Sequence, residues 1–470
     1  MVRQPSAKLG AEKQVQLESV EKKGLSPVSL TGMMLAAALA PLGSTMIAVA
    51  LPAIGHDVGA SDAELTQWLV SSYMIAAIAL QSPGGTLGDR IGHRSAMLLG
   101  LLLVGVAGVV GYSIVDLHAL ALARVLMAAG GAAIIPACMA MVRTRIDPKR
   151  RARWFGYFGA GMGLAAAIGP LVGGELTQAF GWRSLFAAVL PVVLISLVTL
   201  PFFGRDTRPA NAPPPARFDL VGSVLLGVGL AAVIIALRMG ERGLWLAAGG
   251  GVMLALFPFW ERRAASPVVD FRLFRSPAFA AGGLIIALQN LAMYALLFQT
   301  PIFFKQVRHV ESREMGHTLL AMTLAMMIAS ILGGRLSEKL GARLQVALGS
   351  VLALGGLWWF RDFVSIQTPT DILPGLVLMG TGLGLSSAPS QAAAMAAARP
   401  ESAGMAAGAL STMRYIGGVI GIALLGAQIA DAKDIGAHQS TVFVYAASLC
   451  IALLMAALLP RAADTRTKSN

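Results

Sequence analysis

The sequence predicts an all-α membrane protein: two related six-helix bundles with a two-helix insertion between them, fourteen spans in all. Three observations carry this expectation. The chain of 470 residues is 56% hydrophobic and only 13% charged, with a mean hydropathy of +0.70, whereas a soluble domain carries about 25% charged residues. Apolar runs of roughly 20 residues, the length a helix needs to cross the hydrocarbon of a bilayer, recur along its whole length. Finally, Gly85-Thr86-Leu87-Gly88-Asp89-Arg90-Ile91-Gly92-His93-Arg94 and Gly334-Arg335-Leu336-Ser337-Glu338-Lys339-Leu340-Gly341-Ala342-Arg343 follow one grammar. Each reads glycine, a leucine two on, an acid, a base, a second glycine and a closing arginine. Such a charge-dense repeat, set as a loop between membrane-length runs, indicates an internal duplication.

The elements follow in order. Residues 1–28 form a polar, lysine-bearing cytoplasmic tail, longer and more charged than the start of a signal peptide, so the first apolar run is read as an uncleaved span. The first domain, 29–203, holds spans at about 29–53, 64–85, 95–115, 117–142, 153–178 and 182–203. Residues 204–218, with Pro209, Pro213, Pro214 and Pro215, read as an extended cytoplasmic linker. An inserted hairpin, 219–260, has spans at about 219–238 and 243–260 joined by the tight turn Gly240-Glu241-Arg242-Gly243. The linker 261–277 carries Phe271 and Phe274 among Asp270, Arg272 and Arg275, an amphipathic composition suited to the inner interface. The second domain, 278–460, holds spans at about 278–303, 316–334, 343–360, 371–396, 403–427 and 439–460, and 461–470 form a tail.

Charge placement orients the chain. Arg143, Arg145, Lys149, Arg150, Arg151 and Arg153 cluster between spans four and five, whereas the segments at 56–62 and 116–118 carry no lysine or arginine. Lysine and arginine favour the cytoplasmic side, which puts both termini there. Lys305, Arg308 and Arg313 break the trend and are partly offset by Glu311 and Glu314. Because the basic residues alternate with apolar runs, topology accounts for the net charge of +13 and no nucleic-acid partner is expected. Cys138 and Cys450 fall in apolar runs of different halves, which suits packing rather than a disulfide or a metal site. No P-loop is present for an ATP-driven pump, and no nucleophile–base set is evident for an enzyme. No metal or cofactor is expected.

These residues resemble the major facilitator superfamily, and within it the fourteen-span drug:proton antiporter type, over nearly the whole chain. The segment Gly85–Arg94 is similar to the superfamily signature between spans two and three, and the second copy to its counterpart in the other half. The resemblance implies a gate at Gly85, Asp89, Arg90, Gly92 and Arg94, matched by Gly334, Glu338, Gly341 and Arg343. Asp89 is placed to cap a neighbouring helix end or to pair with an arginine. Span five carries Gly169-Pro170-Leu171-Val172-Gly173-Gly174, which resembles the antiporter motif of exporters; Gly169, Pro170, Gly173 and Gly174 suit a bent, closely packed hinge or seal between halves. Span four holds Arg124 where the family has an arginine, but Met127 and Ala128 replace the glutamine and glycine that usually follow. An arginine within a span is functional by default, with snorkelling to an interface as the other reading. Span one keeps the outline Leu42…Thr45…Ala50-Leu51-Pro52, yet Gly43 stands where the subfamily has an aspartate and Ala48 where it has an asparagine. Phe218–Gly222, Val269–Phe274 and Arg414-Tyr415-Ile416-Gly417-Gly418 resemble further segments of the type.

The resemblance implies a monomeric secondary exporter of small lipophilic or amphiphilic molecules in a bacterial cytoplasmic (inner) membrane, moved by alternating access and coupled to protons. A dedicated exporter of one metabolite or lipid and an uncoupled facilitator are the alternatives. Such proteins hold substrate near the midplane, where the polar and aromatic candidates are Trp68, Tyr73, Gln289, Asn290, Tyr294, Gln391 and Arg414. Helix–helix packing is an equal reading for each. With no acid near the centre of a span, Glu175, Asp89 and Arg124 are the candidates for coupling. Arg124 and Arg414 favour a neutral or anionic substrate over a strongly cationic one.

Overall fold

A lipid-embedded backbone finds no water to bond, so helices satisfy it internally. The computed structural model shows an all-helical chain over its described residues, 26–203, 219–239, 243–265, 267–310, 312–429 and 433–461. The N-terminal tail before residue 26, the linker 204–218, most of the 240–243 turn, Glu311 and the C-terminal end from 462 lie outside those residues.

The helix α1 spans Pro27–Val58: the Ser26 hydroxyl accepts the Ser29 N–H at 3.1 Å, Pro27 opens the helix, and Gly59 ends it at φ 72°. A short helix, Asp62–Leu65, and a π-helical turn, Thr66–Ser71, lead into α2 (Ser72–Ile91). There follow α3 (His93–Ser113), α4 (Leu117–Arg145), α5 (Arg151–Phe180) and α6 (Val189–Thr199). Asp116 caps α4 by accepting the Ala119 N–H at 2.8 Å. The hairpin is α7 (Leu220–Met239) and α8 (Leu244–Glu261), and α9 is Pro277–Val307. The helical stretch Ser312–Trp358 breaks at Gly341 (φ 74°, ψ 163°) into α10 (312–340) and α11 (342–358). The chain ends with α12 (Leu373–Ala397), α13 (Ala403–Gln428) and α14 (Ile435–Ala456).

Several helices overrun the spans expected from hydropathy. The 32 residues of α1 reach about 48 Å at 1.5 Å per residue, beyond the hydrocarbon thickness. Caps and special glycines, rather than loss of apolarity, set where they stop. Eleven stretches of the described residues are long and apolar enough to cross a membrane; α2 and α7 fall short, and α10–α11 count as one.

Helices α1–α6 pack among themselves, as do α9–α14. Their axes approach through small residues. At the α3–α4 crossing a Cβ on Gly100 would lie 2.6 Å from the Gly130 carbonyl, and at the α11–α12 crossing a Cβ on Gly349 would lie 2.6 Å from that of Gly382. Between the two groups, α2 packs on α13 and α5 on the α10–α11 pair, with α4 on α13 and α5 on α12 beside them. The hairpin stands outside, with α7 against α2.

Candidate functional site

The twin charged segments are not loops. Residues 85–91 complete α2 and 334–340 complete α10, and in each case one glycine makes the corner: Gly92 at φ 93°, ψ 143° and Gly341 at φ 74°, ψ 163°. That left-handed backbone suits glycine alone, so the next helix starts at once. A helix, unlike a loop, fixes where the acid points. Both Asp89 carboxylate oxygens accept backbone N–H groups at the start of α13, Gly404 at 2.6 Å and Met405 at 2.7 Å. Short bonds to a helix N-terminus gain from charge and from the helix dipole. His93 Nε2 lies 3.7 Å from the same carboxylate. In the second copy Glu338 accepts from Arg153 Nη2 at 2.7 Å, near the start of α5.

The first glycine of each copy makes these contacts possible. A Cβ on Gly85 would collide with the Gly404 carbonyl, and one on Gly334 would lie 2.6 Å from the Ala152 carbonyl. Arg343 stays within its own group, with Nε donating to the Leu459 carbonyl at 3.0 Å. Arg90 interacts with Asp219 at the foot of the hairpin. Arg94 occupies the first turn of α3.

Further bonds close this basic end. Arg143 donates to the carbonyls of Met395 at 2.6 Å and Ala398 at 2.9 Å, where α12 ends. Arg335 donates to the Tyr157 hydroxyl at 2.9 Å, and Ser330 to the Gly156 carbonyl at 3.1 Å. The segment after α8 joins them. The Val268 carbonyl accepts from Ser82 at 3.2 Å and Thr86 at 3.1 Å, one turn from Gly85. The buried Glu261 carboxylate accepts the N–H groups of Val268 and Val269, both at 3.3 Å. Asp219 accepts from the Gly222 N–H at 2.8 Å and Trp260 Nε1 at 2.9 Å, tying the hairpin's two ends. Val268 and Val269 are thus buried beside α2, whereas Phe271 remains exposed. Glu261 was not singled out in the sequence, and the segment after it stood out only for its amphipathic composition and its family resemblance. An acid ending an apolar run gives no pattern, and the segment's contacts are made by backbone.

The Gly169–Gly174 segment of α5 faces α1, within the first group. A Cβ on Gly169 would collide with the Thr45 hydroxyl, and one on Gly173 would lie 2.7 Å from the Met46 carbonyl. Gly174 has open space around it, and Pro170 lies inside the helix. Glu175 is exposed.

Arg124 does not snorkel: it is 1% exposed. Its Nε donates to the Leu69 carbonyl at 2.9 Å, in the π-helical turn, and Nη1 to the Gly43 carbonyl at 2.8 Å. The guanidinium lies 4.1 Å from the centre of the Tyr73 ring, and the Tyr73 hydroxyl donates to the Ala40 carbonyl at 2.8 Å. A second polar group bridges the two helix groups. Arg414 Nη2 donates to Gln391 Oε1 at 2.8 Å, and Gln391 Nε2 reaches Met139 Sδ at 3.5 Å. Tyr415 interacts electrostatically with Tyr73, Tyr294 and Arg414. Arg414, Tyr415, Tyr294 and Asn290 are each near the middle of a helix yet only half-buried. Asn290 also donates to the Ile286 carbonyl of its own helix at 2.8 Å, and Gln289 is buried. Trp68 lies away from this cluster, 39% exposed and edge-on to His118 at 5.1 Å. Tyr415 joins the central candidates; in the sequence it stood only within a segment that resembles the family type.

Comparison with known proteins agrees with this architecture. The model of the Major Facilitator Superfamily matches residues 33–422, and the chain belongs to that family. It is 32% identical to the uncharacterized MFS-type transporter YvkA of Bacillus subtilis, over 84% of this chain and 89% of that protein. It is 29% identical to the puromycin resistance protein pur8 of Streptomyces alboniger, over 97% of this chain and 95% of that one. Among solved structures, the human organic anion transporter MFSD10 (TETRAN) superposes with a TM-score of 0.66 at 15% identity, over 92% of this chain and all of that one, a likeness of fold. The chain is therefore a multi-pass membrane protein with the transporter fold.

Proposed function

We propose that this chain is a secondary active exporter of small lipophilic or amphiphilic compounds, working by alternating access with proton antiport. One observation carries the reading: two corresponding acids, Asp89 and Glu338, each tie the end of one helix to the start of a helix in the other group. A gate built twice, at one end only, suits two bodies that rock about a shared recess. The same observation supports pseudo-symmetric domains at 29–203 and 278–460, with the hairpin 219–260 inserted and the linkers at 204–218 and 261–277. Adding α2, α7 and the second leg of α10–α11 to the eleven apolar stretches makes fourteen spans. The positive charge of the gated end supports a cytoplasmic location for it, both termini inside, in a bacterial inner membrane.

Asp89 is the coupling group. Protonation converts one acceptor oxygen into a donor that faces N–H groups, so it loosens the cap on α13 and opens the gate. The exposed Glu175 lacks the enclosure a carrier needs. The likeness to a puromycin resistance protein supports drug-sized cargo, and Arg414 in the recess supports neutral or anionic amphiphiles. The test is transport in proteoliposomes of the purified chain. An imposed proton gradient drives accumulation of an anionic or neutral lipophilic dye, and an ionophore abolishes it. Gradient-independent equilibration makes the protein a facilitator; preference for a permanently cationic dye refutes the substrate assignment.

A further inference from the structure

A buried guanidinium needs its charge and all five donors matched, and an unmatched one is strongly destabilising. Arg124 is 1% exposed, and two of its three nitrogens donate to carbonyls, which carry no charge. Its third nitrogen, Nη2, has no protein acceptor. Among the described residues no carboxylate forms an ion pair with it. Beside it lies a cavity of about 10 Å³ lined by Gly43, Met46, Met127 and Phe186. That is roughly the room one water requires, and flexible methionine ends yield readily to a slightly larger occupant. Hydrocarbon walls with one positive corner suit a monatomic anion better than water, which needs two to four polar partners.

We propose that Arg124 and this cavity form a halide site within the α1–α4 packing, one anion completing the charge of the guanidinium. The site differs from the substrate recess. It lies inside the first helix group, lined by Gly43, Met46, Met127 and Phe186, whereas Arg414 and its partner Gln391 belong to the second. It requires no transport activity to be detected.

Gly43 supplies the discriminating variant. A Cβ there would approach only the Met127 methyl, at 3.2 Å, the far end of a side chain that can move aside. An aspartate at this position therefore delivers a tethered carboxylate to Arg124. The full-length protein is placed in zwitterionic nanodiscs, and sodium chloride is exchanged for sodium gluconate at constant ionic strength. Wild-type Tm rises saturably with chloride, by on the order of 2 °C, and Gly43→Asp loses the response. Equal Tm in both salts, or a wild-type chloride response in Gly43→Asp, overturns the proposal. Bromide diffraction of wild-type crystals gives an answer independent of how the variant folds. An anomalous peak against Arg124 Nη2 is expected, and bromide found only elsewhere overturns the site.

Discussion

Asp89 spends both carboxylate oxygens on the first N–H groups of α13, so its charge is worth most when the basic end is closed. Hydrogen bonds to a charged group contribute about 1.5–3 kcal/mol. Asp89→Asn retains the shape but surrenders the charge and one acceptor. It should shift the gate toward open and lower export tenfold or more, a factor that about 1.4 kcal/mol produces. Glu175→Gln should leave gradient-driven export at the wild-type level, because that side chain is exposed and holds nothing closed. Dye efflux from cells expressing each variant in equal amount checks both. Capping of a neighbouring helix end by Asp89 was one of two readings the sequence offered, the other being a pair with an arginine. Its partner was not legible, since backbone N–H groups carry no residue signature. The partners of Arg124 were illegible for the same reason: they are the carbonyls of Leu69 and Gly43.

Helices α2 and α10 reach the other helix group closely because each presents a glycine where the opposing backbone arrives, and the proposed gate rests on those contacts. Gly85→Val and Gly334→Val drive side chains into Gly404 and Ala152, so each should prevent closure at the basic end while sparing the packing within either helix group. Gly174→Ala, with open space around it, should be neutral or slightly stabilising. Labelling of a cysteine introduced at the basic end, quantified against total folded protein, checks the set: reactivity rises in the two valine variants and not in Gly174→Ala. Ser82→Ala with Thr86→Ala removes both bonds to the Val268 carbonyl and should lower Tm by about 1–3 °C, read by unfolding in detergent. The helices themselves were legible, because apolar length is a strong signal. Their ends were not: α2 runs on through its charged turns to Gly92, since helical bonding does not require apolar side chains. The contacts of Val268 and Val269 were not legible either, because they are made by backbone groups.

Across the whole molecule, Asp89, Arg143 and the Arg153–Glu338 pair join the two groups of helices at one end, and the proposed substrate position lies by the half-buried Arg414, Tyr415 and Tyr294. The paired charged segments were legible in the sequence, and each carries an acid that reaches the other helix group. The meeting of α2 with α13 and of α5 with α10 was not legible, because it depends on glycines hundreds of residues apart that only folding brings together. Rocking requires the two ends to move in opposite senses. Spin labels on Arg150→Cys and Glu401→Cys report the basic end, and labels on Val115→Cys and Val364→Cys the other, all four positions being exposed. Distances between each pair, measured in nanodiscs at neutral pH and again at acid pH where Asp89 takes up a proton, test the claim directly. The account predicts that the 150–401 distance lengthens while the 115–364 distance shortens; two distances that stay fixed, or that change in the same direction, contradict it.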